Sequence, residues 1–128
     1  MEEKNNPLSP HLQIYRWQIS SLLSITHRIV GVINIIAITI ICFWSLSLLL
    51  GAENYLIINN FFQSFFGKFV AVGLCWTFSF HILNELRHLF WDLGYGFDLK
   101  ISKITGVLAF VGSFALTVLF YLIGKNIF

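Results

Sequence analysis

Three apolar stretches, spanning about 25–50, 65–89 and 104–123, dominate the chain, and each reaches the ~20 residues an α-helix needs to cross a hydrocarbon core. In lipid no water satisfies exposed N–H and C=O groups, so a spanning segment must bond its backbone internally, as a helix does. With 57% hydrophobic and only 11% charged residues in a chain of 128, a soluble domain could not hide the apolar surface, because small domains have too much surface for their volume. The excess faces lipid or partner proteins. The expected fold is an all-α membrane protein with three transmembrane helices, a single membrane-anchor domain over 1–128. Residues 1–21 form a polar and interfacial N-terminal segment. A net charge of +2 without basic patches excludes nucleic-acid binding.

The N-terminal segment does not read as a secretory signal: Glu2, Glu3, Pro7 and Pro10 occupy it, and no apolar core precedes residue 21. Nor is it Arg- and Ser-rich, as a transit peptide is. Aromatic and basic residues mix in His11-Leu12-Gln13-Ile14-Tyr15-Arg16-Trp17, as in interfacial segments. The connection 51–64 carries Glu53, Asn59 and Asn60 but no base and is read as a loop, whereas 90–103 carries Lys100 and Lys103. Lys4, Arg16, Arg28, Arg87, Lys100 and Lys103 therefore lie on one side of the bilayer, and Lys68 and Lys125 on the other. The positive-inside rule places the N-terminus in the cytoplasm or organelle matrix and the C-terminus outside.

Small residues in the third span, Gly106, Ala109, Ser113, Thr117 and Gly124, recur near spacings of three, four and seven, a pattern that lets helices approach closely in lipid. Plain helix packing is the simplest reading of that stripe. Cys42 and Cys75 sit mid-span without C-x-x-C spacing and read as small buried hydrophobes.

Ionisable groups inside spans are costly, so they are the first functional candidates. Ser24, His27, Arg28 and Gly31 open the first span at spacings of three, four and seven, and therefore share a broad helix face. His81, Glu85 and His88, with Arg87 beside them, close the second. Antiparallel helices bring both clusters to the same membrane face. His81 and His88 stand about 10 Å apart along the axis, so both cannot ligate one iron. A haem explains the deeper imidazole: histidine is a common axial ligand, and the propionates want bases nearer water, such as Arg28 and His27. Gly31 leaves room for the macrocycle. Two arrangements stay open on spacing alone: a His27–His88 pair within this chain, or His81 paired with a histidine of another protein. His88 otherwise reads as interfacial, and Arg87 as a side chain snorkelling to headgroups. Ser24 and Arg28 offer donors to a quinone headgroup, stabilising charge that develops at its oxygens; the simpler reading of Ser24 is a helix-start residue bonded to backbone.

Three ordered motifs carry a resemblance: Pro7-Leu8-Ser9-Pro10-His11-Leu12-Gln13-Ile14-Tyr15, then Ser24-x-x-His27-Arg28-x-x-Gly31, then His81-x-x-Asn84-x-x-Arg87-His88-Leu89-x-Trp91-Asp92-x-Gly94. Together they resemble the cytochrome b556 (b560) family, the larger membrane anchor of succinate dehydrogenase in respiratory complex II, over nearly the whole chain. The resemblance implies one haem b, shared with a smaller hydrophobic anchor subunit, with His81 as this chain's axial ligand to the haem iron. It also implies His27 and Arg28 on the propionate side, and Ser24 and Arg28 at a ubiquinone site bordered by the iron–sulfur subunit. Electrons from succinate oxidation in the flavoprotein subunit would reach ubiquinone through iron–sulfur centres, within the tricarboxylic acid cycle and respiratory chain. On its own the chain is not an enzyme; it is a non-flavin subunit contributing to quinone reduction. The implied location is a bacterial inner membrane, multi-pass, or the mitochondrial inner membrane if organelle-encoded.

One position departs from the family pattern. Glu85 stands where H-x-x-N-G-x-R-H has glycine, one turn from His81 on the same face. Three arrangements follow: a protonated carboxyl, a carboxylate turned toward Arg87 or a propionate-side base, or a shifted or absent haem. The alternatives to a haem-bearing succinate dehydrogenase anchor are a haem-free quinone-reducing anchor, a fumarate reductase anchor, and a structural or assembly protein without cofactor.

Overall fold

The computed structural model describes residues 17–127 as four helices, α1 (Ile19–Leu50), α2 (Ala52–Gln63), α3 (Phe65–Asp92) and α4 (Leu99–Ile127), with side chains through residue 125. The Pro7-to-Tyr15 motif, Lys4 and Arg16 lie outside the described residues. Helices α1, α3 and α4 are each long and apolar enough to cross a membrane. At 1.5 Å per residue the 28 residues of α3 extend about 42 Å, covering a ~30 Å hydrocarbon core and reaching headgroup depth at both ends.

The first helix begins at Ile19, ahead of the apolar stretch. Gln18 is extended (φ −89°, ψ 145°), and its carbonyl accepts from Ser21 and Leu22, which closes the first turn. Ser24 consequently lies in the second turn, not at the helix start. That removes the capping reading of its hydroxyl.

The connection 51–64 is not a loop but the helix α2. Gly51, at φ 118°, ends α1 with a backbone turn that other residues rarely adopt. Glu53 in the first turn of α2 favours the positive end of its dipole. Tyr55, Ile58 and Phe62, spaced by three and four, are its half-buried row, and Tyr55 stacks near Trp44 of α1 at 6.1 Å. Ser64 then turns extended (φ −67°, ψ 159°) and caps α3, its Oγ accepting from Gly67 N at 3.1 Å.

A Cβ at Gly67 would run into the backbone of Phe61 and Phe62, so α2 seats directly on the start of α3. Gly67→Ala is expected to push α2 away and cost about 1–3 kcal/mol. Thermal unfolding in detergent checks this, with Gly73→Ala as the control, since nothing lies within 4 Å of a Cβ there. Loss of stability at Gly73 but not at Gly67 would contradict the placement of α2.

Helix α3 is central, packing against α4, α1 and α2, while α1 touches α4 less. The seam between helices is built of small and polar residues: Asn34, Ala37, Ser47, Thr77, Ser79, Asn84, Ala109, Ser113 and Thr117 are buried. Most large aliphatic residues, including Ile35, Ile36, Leu108 and Val118, face outward, whereas Leu23 and Val30 are buried with Phe80. Lipid tails are as apolar as leucine, so close backbone approach, not apolar burial, joins such helices. The buried hydroxyls are satisfied within their own helices, Ser113 donating to Phe110 O at 2.6 Å and Thr117 to Ser113 O at 2.7 Å. Trp76, Phe80, Phe110 and Phe114 fill the midsection between α3 and α4 as a ring cluster. Cys42, exposed on α1, and Cys75, half-buried on α3, are free thiols.

Helices α3 and α4 are joined by a short turn in which Gly94 (φ 86°) and Gly96 (φ 82°) take left-handed conformations. This turn, the start of α1 and the end of α3 share one end of the bundle. The other end carries α2.

Candidate functional site

The polar groups of α1 and α3 meet at that first end. Glu85 Oε1 lies 2.9 Å from His27 Nε2 and 3.8 Å from His81 Nε2. The His27 and His81 rings stack face to face, centroids 4.4 Å apart and planes 9° apart. His88 stands 5.3 Å from His27, tilted by 46°. Ligand atoms of His27, His81 and Glu85 all lie within 4.8 Å of one another.

Local geometry explains the convergence. His81 and Glu85 are one turn apart on α3 and face α1. On α1, His27 and Gly31 form the row turned toward α3, and a Cβ at Gly31 would sit 3.5 Å from His81 Cε1. A methyl there would make ordinary van der Waals contact, so the edge of the imidazole lies close to this part of α1. Ser24 and Arg28 form the neighbouring row and are exposed. The four residues expected on one face thus divide in two, because residues three apart on a helix sit about 60° apart around it. Among the described residues, neither the Ser24 hydroxyl nor the Arg28 guanidinium has a hydrogen-bond partner.

Two ring nitrogens stand out. Nδ1 of His27 and Nδ1 of His81 are both buried without a hydrogen-bond partner among the described residues, an arrangement that costs free energy unless something meets them. His88 differs: its Nδ1 lies 2.7 Å from Asn84 O, and its ring packs edge-on to Trp91 at 5.2 Å. Face-stacked rings cannot approach one iron from opposite sides, so His27 and His81 are not an opposed axial pair in this arrangement.

Arg87 does not snorkel to headgroups. It is 8% exposed and turns into the α3–α4 seam. Nη2 donates to the carbonyl and hydroxyl oxygens of Ser102, both at 2.9 Å, Nε to Thr105 Oγ1 at 3.2 Å and Nη1 to Asn84 Oδ1 at 3.4 Å. Its guanidinium carbon lies 4.1 Å from the centre of the Trp91 ring. Glu85 accordingly pairs with His27, and Arg87 is occupied on the other side of α3.

Sequence reasoning overlooked Asn34, buried mid-span on α1, whose Nδ2 donates to Thr77 O at 3.4 Å and ties α1 to α3. A lone amide in an apolar run was itself the signal, since lipid penalises it unless a neighbour pairs with it.

Comparison with known proteins agrees with this architecture. Residues 2–120 match the family described as the succinate dehydrogenase/fumarate reductase transmembrane subunit. The chain is 44% identical over 115 residues to the succinate dehydrogenase cytochrome b556 subunit of Rickettsia felis, covering 90% of each chain. It is 33% identical over 115 residues to the same-named subunit of Paracoccus denitrificans, covering 90% of this chain and 88% of that one. It is 35% identical over 127 residues to the succinate dehydrogenase cytochrome b560 subunit of Reclinomonas americana, covering 93% and 86%. A three-span helical bundle, a histidine–carboxylate cluster at one end and these matches along nearly its full length agree: the chain belongs to the succinate dehydrogenase/fumarate reductase transmembrane subunit family.

Proposed function

We propose that this chain is the cytochrome b membrane anchor of a succinate dehydrogenase, holding one haem b through His81 and lining a ubiquinone site with Ser24 and Arg28. One observation carries this reading: a half-buried imidazole, its Nδ1 without a hydrogen-bond partner among the described residues, lies within a span beside the small residue Gly31. The donor set fits a haem, since a neutral imidazole nitrogen is a standard axial ligand; His27 stacks on one face of the His81 ring, and Gly31 sets no side chain against its Cε1 edge. Neither His27 nor His88 opposes His81, which agrees with the resemblance's implication that a second axial histidine would come from the smaller anchor subunit. When bound, the haem supplies a one-electron store beside the quinone.

This chain's own residues do the positioning. Arg28, a permanent cation at the membrane edge, offsets propionate charge, with His27 on the same side. Ser24 and Arg28, exposed and unpaired among the described residues, are free to donate to a quinone carbonyl oxygen. Reduction to quinol places negative charge on that oxygen before protons arrive, and fixed donors stabilise it. The flavoprotein and iron–sulfur subunits deliver the electrons on the cytoplasmic or matrix face of a bacterial or mitochondrial inner membrane. The bases Arg28, Lys100 and Lys103 at this end of the bundle support that orientation.

Arg28→Leu is expected to lower ubiquinone reduction by the assembled complex about 100-fold, the scale of losing one donor to a developing oxyanion. Succinate oxidation by an artificial dye should stay at the wild-type rate. Equal loss of both activities would place Arg28 in assembly instead.

A further inference from the structure

Among the described residues, Glu85 is the carboxyl side chain at this site that haem and quinone binding leave without a task. Its Oε1 accepts from His27 Nε2 at 2.9 Å and stands 3.8 Å from His81 Nε2. The contact with His27 ties the Glu85 side chain to α1 and holds it beside the His81 imidazole, although the Glu85 side chain is itself 57% exposed.

Resting on the assignment of His81 as the axial ligand, we infer that Glu85 is an electrostatic tuning residue, anchored by His27, that stabilises the oxidised haem and lowers its electron affinity. Reduction removes one positive charge from the iron. A carboxylate beside the ligating imidazole opposes that change, and groups around a metal's ligands commonly set its potential in this way. Among the described residues no cation competes for the carboxylate: Arg87 is held by Ser102, Thr105 and Asn84 in the opposite seam, and His88 by the Asn84 carbonyl.

The test is a redox titration of the haem in the purified four-subunit complex. Glu85→Gln keeps shape and the hydrogen-bond acceptor but removes the charge. At a fixed applied potential it should raise the ratio of reduced to oxidised haem about tenfold, a 59 mV upward shift for a one-electron couple. Glu85→Asp, which keeps the charge, should stay within threefold of wild type. An unchanged ratio in Glu85→Gln with haem content intact overturns the inference, as does an equal shift in both variants, which would make side-chain size the cause. A wild-type complex without haem would instead overturn the assignment of His81 itself.

Discussion

Replacing His81 with leucine removes the haem: the purified complex should lose nearly all of its reduced-minus-oxidised b-type absorbance. Leucine fills a similar volume in a half-buried position, so the packing of α1 on α3 should survive, and dye-linked succinate oxidation reports that survival. The effect should be specific to one imidazole. His88 already spends Nδ1 on the Asn84 carbonyl, and His27 Nε2 is committed to Glu85. His27→Leu and His88→Leu should therefore keep a coloured haem, with His27→Leu weakening its retention. If His88→Leu were colourless and His81→Leu coloured, the His27–His88 arrangement allowed by spacing would be the correct one.

The largest loss of stability is expected at Arg87, not at the candidate ligands. Its guanidinium makes four hydrogen bonds to Asn84, Ser102 and Thr105 and stacks on Trp91, all within the α3–α4 seam. Hydrogen bonds to charged groups are each worth about 1.5–3 kcal/mol, and they are not additive when one side chain makes them all. Arg87→Leu strands the Asn84 and Ser102 oxygens and should cost about 3 kcal/mol, read as a fall in the thermal unfolding midpoint. Arg87→Lys should recover little, since an ammonium cannot reproduce a planar fork that also stacks on an indole. Because the seam fixes α4 against α3, quinone reduction and dye-linked activity should fall together. That pattern separates Arg87 from Arg28, where only the quinone reaction falls.

Most of the architecture was readable from cost alone. Lipid tolerates no unpaired backbone, so three long apolar runs dictated three helices. It tolerates few idle ionisable groups, so His27, His81 and Glu85 announced a site before any contact was known. What sequence could not reveal was partnership. Ser102 and Thr105 look like ordinary residues at the start of α4, and only folding shows that they receive Arg87. Glu85 had Arg87 and the propionate-side bases Arg28 and His27 to choose from, and the direction α3 presents to α1 decided for His27. Helix α2 was missed because Glu53, Asn59 and Asn60 give its segment a loop-like polarity, while the row Tyr55, Ile58, Phe62 that seats it is short. The division of Ser24 and Arg28 from His27 and Gly31 needed the observed rotation of α1, since a spacing of three or four defines a face only to within about 60°.

One spectrum reaches the centre of the matter: a reduced-minus-oxidised scan of the isolated native complex, with haem quantified against this chain. One b-type haem per copy is the result expected of a bundle that keeps the His81 imidazole within a span beside Gly31. A colourless complex that still reduces ubiquinone would mean that His81, His27 and Glu85 serve some other end.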